Sequence, residues 1–203
     1  MSEINIYNQD CMVAMSKMKD KEYDLAIVDP EFGIGIGRSP RLVTDKGFSA
    51  KSWDDKPISP EYFKELYRVS NNQIIWGGNY YPLPLTKHCI VWDKLQPETL
   101  SFGMFDFAWT SFDKPNKAFR RSPSSDLNRI HPTQKPVALY QWLLKNYAKQ
   151  GDKILDTHGG SCSSAIACDI MGFSADIFEI DKDYYEAALD RFNRHKQQTV
   201  LDL

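Results

Sequence analysis

The stretch DPEF, residues 29 to 32, places a carboxylate, a proline and an aromatic ring directly after the apolar run YDLAIV. A carboxylate and a backbone carbonyl can accept the two hydrogens of an amine on a nucleobase, and an aromatic ring can stack on the base. Proline restricts its own φ and therefore aims its carbonyl. Asp29, the Pro30 carbonyl and Phe32 are candidates for presenting an amine to an electrophilic methyl group. An Asp-Pro turn with a core phenylalanine explains the same residues.

A second stretch, DTHGGS at residues 156 to 161, follows the apolar run KIL and precedes a helical pattern. Two glycines allow a sharp turn, and a helix N-terminus offers free N–H groups. Glu179 follows Asp156 by 23 residues and ends the next apolar run, so its carboxylate is expected beside the turn, where it can bind ribose hydroxyls. This pattern indicates a cofactor that contains adenosine. It departs from G-x-G-x-x-G, which disfavours a pyrophosphate site; a strand–helix turn without a ligand is the alternative.

The elements that must position these residues alternate between strand and helix patterns. This alternation predicts an α/β fold, with a mostly parallel sheet covered by helices on both faces. Residues 37–58 are polar and read as a long loop, the stretch 114–130 shows little periodicity, and Gly151 is expected to end the helix that follows Pro136. We predict strands at INIYN, YDLAIVD, NQIIW, HCIVWDK, FDFAWTSF, KILDT and ADIFEI, and helices near residues 11–18, 60–69, 136–149, 161–171 and 182–192.

Bulk composition limits the function classes. A chain of 203 residues with 42% apolar residues predicts one domain over residues 1–203. No apolar run approaches the length of a membrane span, and the N-terminus lacks a signal-peptide pattern. The four cysteines have no C-x-x-C spacing, so we expect no metal site and a cytoplasmic protein with reduced thiols.

Charge is distributed unevenly along the chain although the formal net charge is only −2. Residues 110–136 contain six basic and two acidic residues, whereas the segment from residue 150 to the end contains five basic and ten acidic residues. A basic segment on an otherwise acidic protein is typical of a site for a polyanion, and a solvated loop is the alternative.

A third motif, HPTQKP at residues 131 to 136, adds a resemblance to a known family. Together with DPEF before it and DTHGGS after it, the sequence resembles the S-adenosylmethionine-dependent DNA amino-methyltransferases of the beta class. In that class the catalytic loop precedes the cofactor turn in a circularly permuted order. The segments NQIIWGGNYY and FEIDKDYYEAALDRF are similar to family segments as well. The resemblance implies a Rossmann-like methyltransferase fold, S-adenosylmethionine as cofactor and DNA as partner.

The resemblance also implies roles for individual residues. Asp29 and the Pro30 carbonyl would hold the target amine, and Phe32 would stack on the base. Glu179 would bind the cofactor ribose, Asp10 would lie near the adenine ring, and Lys135 would pair with the cofactor carboxylate. The remaining cofactor residues it implies are Asp156, Gly159, Gly160 and Ser161 in the glycine turn, and His131, Thr133 and Gln134 near the methionine end.

A base inside a duplex is inaccessible, so the substrate must be flipped out, with basic loops gripping the phosphates. Residues 38–58 and 100–130 are the candidate target-recognition loops. The candidate phosphate-binding residues are Arg38, Arg41, Lys46 and Lys51 in the first loop, and Lys117, Arg120, Arg121 and Arg129 in the second.

Within the family resemblance, an initial Asp in the catalytic loop favours adenine-N6 over cytosine-N4 as the target. Two positions depart from the family pattern: Glu31 replaces the second proline of the catalytic loop, and Cys162 replaces a glycine after Gly-Ser. The open alternatives are a catalytically impaired relative that still binds DNA or cofactor, a cytosine-N4 or RNA methyltransferase, and an unrelated nucleotide-binding protein. A restriction-modification role and a homodimer are compatible with the sequence, which does not reveal a target site.

Overall fold

One mixed sheet of eight strands forms the centre of the protein, in the order β1-β8-β7-β2-β3-β5-β4-β6. The structure is a computed structural model and describes residues 2–40, 42–43, 48–99, 103–125 and 129–201. Neighbouring strands are parallel except where β5 pairs antiparallel with β3 and β4, so the predicted mostly parallel α/β fold is confirmed. The strands are β1 (Ile4–Asn8), β2 (Tyr23–Val28), β3 (Ser70–Trp76), β4 (Cys89–Asp93), β5 (Phe105–Thr110), β6 (Lys117–Arg120), β7 (Lys153–Asp156) and β8 (Ser174–Glu179).

Helices cover both faces of this sheet. They are α1 (Cys11–Met15), α2 (Pro60–Val69), α3 (Val137–Tyr147), α4 (Ser163–Met171) and α5 (Lys182–Leu201). One apolar cluster joins α3, α4 and α5 to the sheet, and a second joins α1 and α2 to the opposite face. Strand β2 contributes Leu25 and Ile27 to the first cluster and Ala26 and Val28 to the second. Because successive side chains point to opposite faces, a strand buried on both sides must be apolar throughout, as YDLAIV is.

Most helix boundaries follow the predicted signals. Pro60 occupies the first turn of α2, and Gly172 ends α4 with φ +76°. The Asp181 carboxylate caps α5 by accepting hydrogen bonds from the Asp183 and Tyr184 N–H groups. The predicted end of α3 at Gly151 is wrong: the helix stops at Tyr147, where the Ala148 N–H bonds to the Leu144 carbonyl.

Strand β6 lies within residues 114–130, where the sequence pattern predicts no strand. It pairs in parallel with β4 at the edge of the sheet, with Lys117 opposite Ile90 and Arg120 opposite Asp93. Its sequence KAFR shows no apolar alternation. This edge strand has only four residues with mostly exposed side chains, so backbone pairing rather than side-chain burial orders it.

No helix in the described part of the chain is long and apolar enough to cross a membrane. Among the same residues no cluster of His, Cys, Asp and Glu side chains is arranged to hold a metal ion.

The α3 face of the core gives a first test. Leu143 is fully buried in the cluster that joins α3 and α4 to the sheet, whereas Lys145 on the same helix is exposed. We expect Leu143→Ala to lower the free energy of unfolding by about 2–5 kcal/mol, because it leaves a cavity that the core cannot fill. Urea denaturation measures the change. Lys145→Ala is the matched control, and an equal loss in both variants would contradict the packing.

Candidate active site

The candidate site lies where the chain leaves adjacent strands in opposite directions. From β2 the chain crosses through α2 to β3 on one side, and from β7 it crosses through α4 to β8 on the other. A crevice opens at the carboxyl ends of the strands at such a switch point. Asp29 follows β2, Asp156 ends β7 and Glu179 ends β8, so the three predicted carboxylates reach the same edge of the sheet.

A cleft of about 1340 Å³ opens at this edge. Phe32 of the catalytic loop and Gly160 of the glycine turn line the same cleft, so the two distant motifs meet in space. Most of the predicted site residues line it too: Asp10, Asp29, Pro30, His131, Thr133, Gln134, Lys135, Gly159, Ser161, Glu179 and Arg129. Asp156 lies beneath the turn, where its carboxylate accepts hydrogen bonds from the His158 N–H and the Ser164 hydroxyl.

The Asp29 carboxylate has one paired and one open oxygen. Oδ2 accepts a hydrogen bond from the Lys135 ammonium, whereas Oδ1 is buried and has no hydrogen-bond donor among the residues that the structure describes. Lys135 is only 4% exposed and also lies 5.2 Å from the centre of the Trp76 ring. Burial raises the pKa of Asp29, and the Lys135 charge acts in the opposite direction. The structure thus pairs Lys135 with the Asp29 carboxylate, whereas the family resemblance implied a pairing with the cofactor.

The Pro30 carbonyl is held in place by Tyr81. The Tyr81 hydroxyl lies 2.9 Å from the Pro30 oxygen and 3.1 Å from the Glu31 oxygen and donates to both. Because a carbonyl oxygen has two lone pairs, the Pro30 oxygen can still accept a second hydrogen bond. The sequence analysis did not select Tyr81, although it lies in the family-like segment NQIIWGGNYY.

A buried carboxylate holds the catalytic loop itself. Asp54 is 1% exposed and accepts hydrogen bonds from the backbone N–H groups of Phe32, Gly33 and Ile36, at 2.8, 2.9 and 2.9 Å. Asp54 was not a predicted site residue, because two adjacent acids in a polar loop do not show which of them is buried. Its neighbour Asp55 instead forms a surface ion pair with Arg38.

The Phe32 ring already has an aromatic partner. It stacks on Tyr80 with the ring centroids 4.9 Å apart and an interplanar angle of 12°. Gly77, with φ +70°, passes so close that a Cβ atom at this position would overlap the Phe32 ring. Tyr80 is 46% exposed and lines the cleft, so the two rings form one aromatic wall that faces solvent through Tyr80.

The glycine turn and Glu179 form the other wall of the cleft. Glu179 Oε2 accepts a hydrogen bond from the Gly160 N–H at 2.7 Å, and Oε1 accepts one from the Asp181 N–H at 2.8 Å. A Cβ at Gly159 would lie 2.6 Å from the Ile177 side chain, so only glycine fits there. Burial raises the pKa of Glu179 although both backbone bonds favour its ionised form.

The HPTQKP segment crosses the cleft between these walls. The His131 ring packs against Tyr184 and Trp53, and burial lowers its pKa to about 3, so the imidazole is neutral. Gln134 Oε1 accepts a hydrogen bond from the Ile130 N–H, whereas Nε2 is buried and has no partner within the described part of the chain. An unpaired buried donor is costly and indicates that a ligand acceptor belongs beside it.

The predicted residue Asp10 and Cys162, which departs from the family pattern, have structural contacts of their own. Asp10 lines the cleft and also caps α1, accepting hydrogen bonds from the Met12 and Val13 N–H groups. Cys162 has φ +53°, and its fully buried side chain packs into the apolar core, so it does not enter the cleft.

The predicted phosphate-binding residues differ in their surroundings. Arg41 and Lys46 lie outside the described residues. Lys51 is engaged by carboxylates on the cofactor side, 2.6 Å from Asp181 and 2.8 Å from Asp183. This placement differs from the expectation of a cation that is available to DNA.

The other basic candidates lie nearer the surface. Arg38 and Arg120 are mostly exposed and pair with Asp55 and Asp93, respectively. Lys117 contacts Asn146. The Arg129 guanidinium bonds to the Pro132 carbonyl, and the Arg121 carbonyl accepts a hydrogen bond from the Trp92 indole.

A sequence profile of the N6/N4 type, described as DNA methylase, matches residues 50–190. The chain belongs to this DNA methylase family. The match includes both the HPTQKP segment and the glycine turn of this chain. It confirms the resemblance to the amino-methyltransferases.

Two curated relatives resemble this chain over different lengths. The Type II methyltransferase M.HpaI of Haemophilus parainfluenzae is 36% identical over 63 residues, which span 31% of this chain and only 20% of M.HpaI. YubD of Escherichia coli (strain K12), itself named only as a candidate methylase, is 23% identical over 90% of this chain and 87% of its own length.

Solved structures confirm the fold of this chain. M1.HpyAVI in complex with S-adenosylmethionine has a TM-score of 0.65 and 22% identity, covering 93% of this chain and 99% of that one. The cytosine-N4-specific PvuII DNA methyltransferase has a TM-score of 0.66 and 13% identity, covering 95% and 87%. The predicted methyltransferase fold is therefore confirmed.

The Asp54 anchor can be tested by stability. We expect Asp54→Ala to lower the free energy of unfolding by about 3 kcal/mol, because three backbone N–H groups lose their acceptor. Asp55→Ala removes the neighbouring, more exposed carboxylate and should cost less than about 1 kcal/mol. Urea denaturation of both variants measures the difference, and equal effects would show that Asp54 does not hold the loop.

Proposed function

We propose that this methylase transfers a methyl group from S-adenosylmethionine to the exocyclic amine of a flipped base in DNA, with adenine-N6 as the favoured target. The observation that carries the proposal is the open Oδ1 of Asp29, a buried acceptor in the cleft that the glycine turn also lines. An acceptor of this kind calls for a donor from a substrate, and a base amine provides it.

The glycine turn, Glu179 and the neighbouring Gln134 fit S-adenosylmethionine. Gln134 Nε2 is a buried donor without a partner, suited to the carboxylate of the methionine part, while Lys135 is engaged with Asp29. Gly159 and Gly160 allow a close backbone approach, and Glu179 is placed to accept hydrogen bonds from ribose hydroxyls. When bound, S-adenosylmethionine supplies a methyl group activated by its sulfonium.

Asp29 and the Pro30 carbonyl fit an amine. Asp29 Oδ1 accepts one amine hydrogen and the Pro30 oxygen accepts the other, which turns the nitrogen lone pair toward the opposite wall of the cleft. Lys135 favours the ionised form of Asp29 and holds Oδ2, so that Oδ1 faces the substrate. Donors and acceptors fixed in a water-poor cleft stabilise developing charge without reorganising, and the orientation of both reactants lowers the barrier further.

The base itself would stack on the aromatic wall. Because one face of Phe32 is covered by Tyr80, the exposed Tyr80 ring is the surface most open to a flipped base. Flipping costs a few kcal/mol, which contacts between basic side chains and phosphates offset. Arg38, Lys117 and Arg120 are the described candidates with exposed or surface-paired charges.

Cytosine-N4 is the second candidate target. Its amine has the same two hydrogens and meets the same acceptors, and the fold match includes a cytosine-N4-specific enzyme. The initial Asp of the catalytic loop is the feature that favours adenine.

Incubating DNA with labelled S-adenosylmethionine, digesting it to nucleosides and measuring their masses tests the function. We expect N6-methyldeoxyadenosine with the wild-type protein. Asp29→Asn removes the charge and one acceptor site at constant shape, and should lower the rate by about 10²–10³-fold while the affinity for S-adenosylmethionine is retained. Asp55→Asn is the control. N4-methyldeoxycytidine would identify the second candidate, and unchanged activity of Asp29→Asn would refute the assigned chemistry.

The Lys135–Asp29 pair predicts a shift in the pH profile. Ionised Asp29 is the active form, so activity falls as the pH drops through the pKa of Asp29. Burial raises that pKa and Lys135 offsets the rise, so Lys135→Met should move the acidic limb of kcat/KM to higher pH. Lys135→Arg keeps the charge and should restore part of the profile. Methyl-transfer rates between about pH 5 and 9 measure the limb, and an unmoved limb in Lys135→Met would contradict the pairing.

A further inference from the structure

Two titratable side chains that the proposed chemistry does not use face each other across the cleft. His158 Nε2 lies 3.4 Å from Glu31 Oε2, and their side chains are 14% and 22% exposed. Glu31 directly follows Pro30, which would hold the amine, and His158 directly precedes Gly159 of the cofactor turn. The contact therefore joins the two loops that carry the proposed reaction.

The His158 ring is oriented by a chain of contacts from α2. Its Nδ1 lies 2.9 Å from the Thr157 hydroxyl, which is 2.6 Å from the Tyr62 hydroxyl. The Tyr62 ring also meets the imidazole edge-on, with centroids 5.3 Å apart. These contacts turn Nε2 toward Glu31. The 3.4 Å contact brings the two side chains together without an aligned hydrogen bond. Among the described residues, Glu31 Oε2 accepts no hydrogen bond.

Charged groups from several elements act on this pair. Burial alone would lower the pKa of His158, but the negative charges of Glu31, Asp156 and Glu179 outweigh it and raise that pKa. Burial alone would raise the pKa of Glu31, but His158 outweighs it and lowers that pKa. The other titratable groups that face the pair are Asp29 after β2, Cys11 on α1, Tyr62 on α2 and Tyr81 after β3.

We propose that Glu31 and His158 form a positioning pair that sets the distance between the amine-holding loop and the cofactor turn. This inference rests on the proposed function. Methyl transfer requires donor and acceptor atoms at near-attack distance, and errors of about 1 Å cost rate steeply. Glu31 stands where the family pattern has a proline that would stiffen the loop. In this chain the loop gains a contact across the cleft at that position, so the departure at residue 31 has a partner at residue 158.

The pair exists only while both groups are charged. His158 has a raised pKa, so its contribution is present at lower pH and is lost as the pH rises through that pKa, above 6.5. Glu31 has a lowered pKa, so its contribution is lost as the pH falls through a value below 4.5. The positioning pair therefore predicts a basic limb in kcat that belongs to His158.

A double-mutant cycle tests the pair. The variants are Glu31→Gln, His158→Gln and the double variant, and the measurements are methyl transfer to DNA and S-adenosylmethionine affinity across pH. We expect each single variant to lose about 10-fold in kcat, and the double variant to lose no more than either single one, because the two residues act as a unit. The basic limb should disappear in Glu31→Gln, because without the Glu31 charge the protonation of His158 no longer controls the pair. His195→Gln alters another partly buried histidine–carboxylate pair, with Asp169 between α4 and α5. It should change neither kcat nor the basic limb.

Direct titration of the His158 imidazole by NMR provides a readout without catalysis. We expect its pKa above 6.5 in the wild-type protein and a lower value in Glu31→Gln. A wild-type His158 pKa below that value, losses that multiply in the double variant, or a basic limb that persists in Glu31→Gln would each overturn the positioning pair. If the wild-type protein methylates DNA but gives one of these results, the positioning pair is overturned and the proposed function stands. Absence of any methylated base from the wild-type digest overturns the proposed function instead, and the NMR titration then still decides whether the ion pair exists.

Discussion

The burial of the Asp29 carboxylate is the constraint on which the site depends. An ionised carboxylate in a water-poor cleft is unstable unless a positive charge lies beside it. Lys135 supplies that charge from a segment 106 residues further along the chain. The catalytic loop and the HPTQKP segment must therefore fold against each other. Because one ammonium satisfies one oxygen, the second oxygen remains available as an acceptor in the cleft.

The residues that carry this chemistry are held in place by neighbouring side chains. Asp54 fixes the backbone of the catalytic loop, Tyr81 holds the Pro30 carbonyl, and Tyr80 supports the Phe32 ring. These supports come from a loop and from the end of β3, on different parts of the chain. A geometry shared among several elements is rigid, since each support restricts a different degree of freedom. The aromatic wall and the acceptor pair are thus preorganised before a base arrives.

Negative charge dominates the cleft. Asp29, Glu31, Asp156 and Glu179 lie at or below its surface, against the positive charge of Lys135 and a His158 with a raised pKa. Such a field favours a cationic donor over an anionic one. It agrees with the absence of the pyrophosphate pattern from the glycine turn. A DNA backbone would have to be held outside the cleft, where Arg38 and Arg120 have exposed side chains.

The sequence by itself determined the alternation of strands and helices, the family, and the set of residues at the carboxyl ends of β2, β7 and β8. Local spacing suffices for these, because apolar periodicity, caps and motifs are written in neighbouring residues. Strand β6, the burial of Asp54 rather than Asp55, the partner of Lys135 and the contact between Glu31 and His158 were decided only by the tertiary structure. Each of these features depends on which backbone group or charge from a distant part of the chain comes within a few ångströms. The spacing of residues along the sequence does not specify such distances.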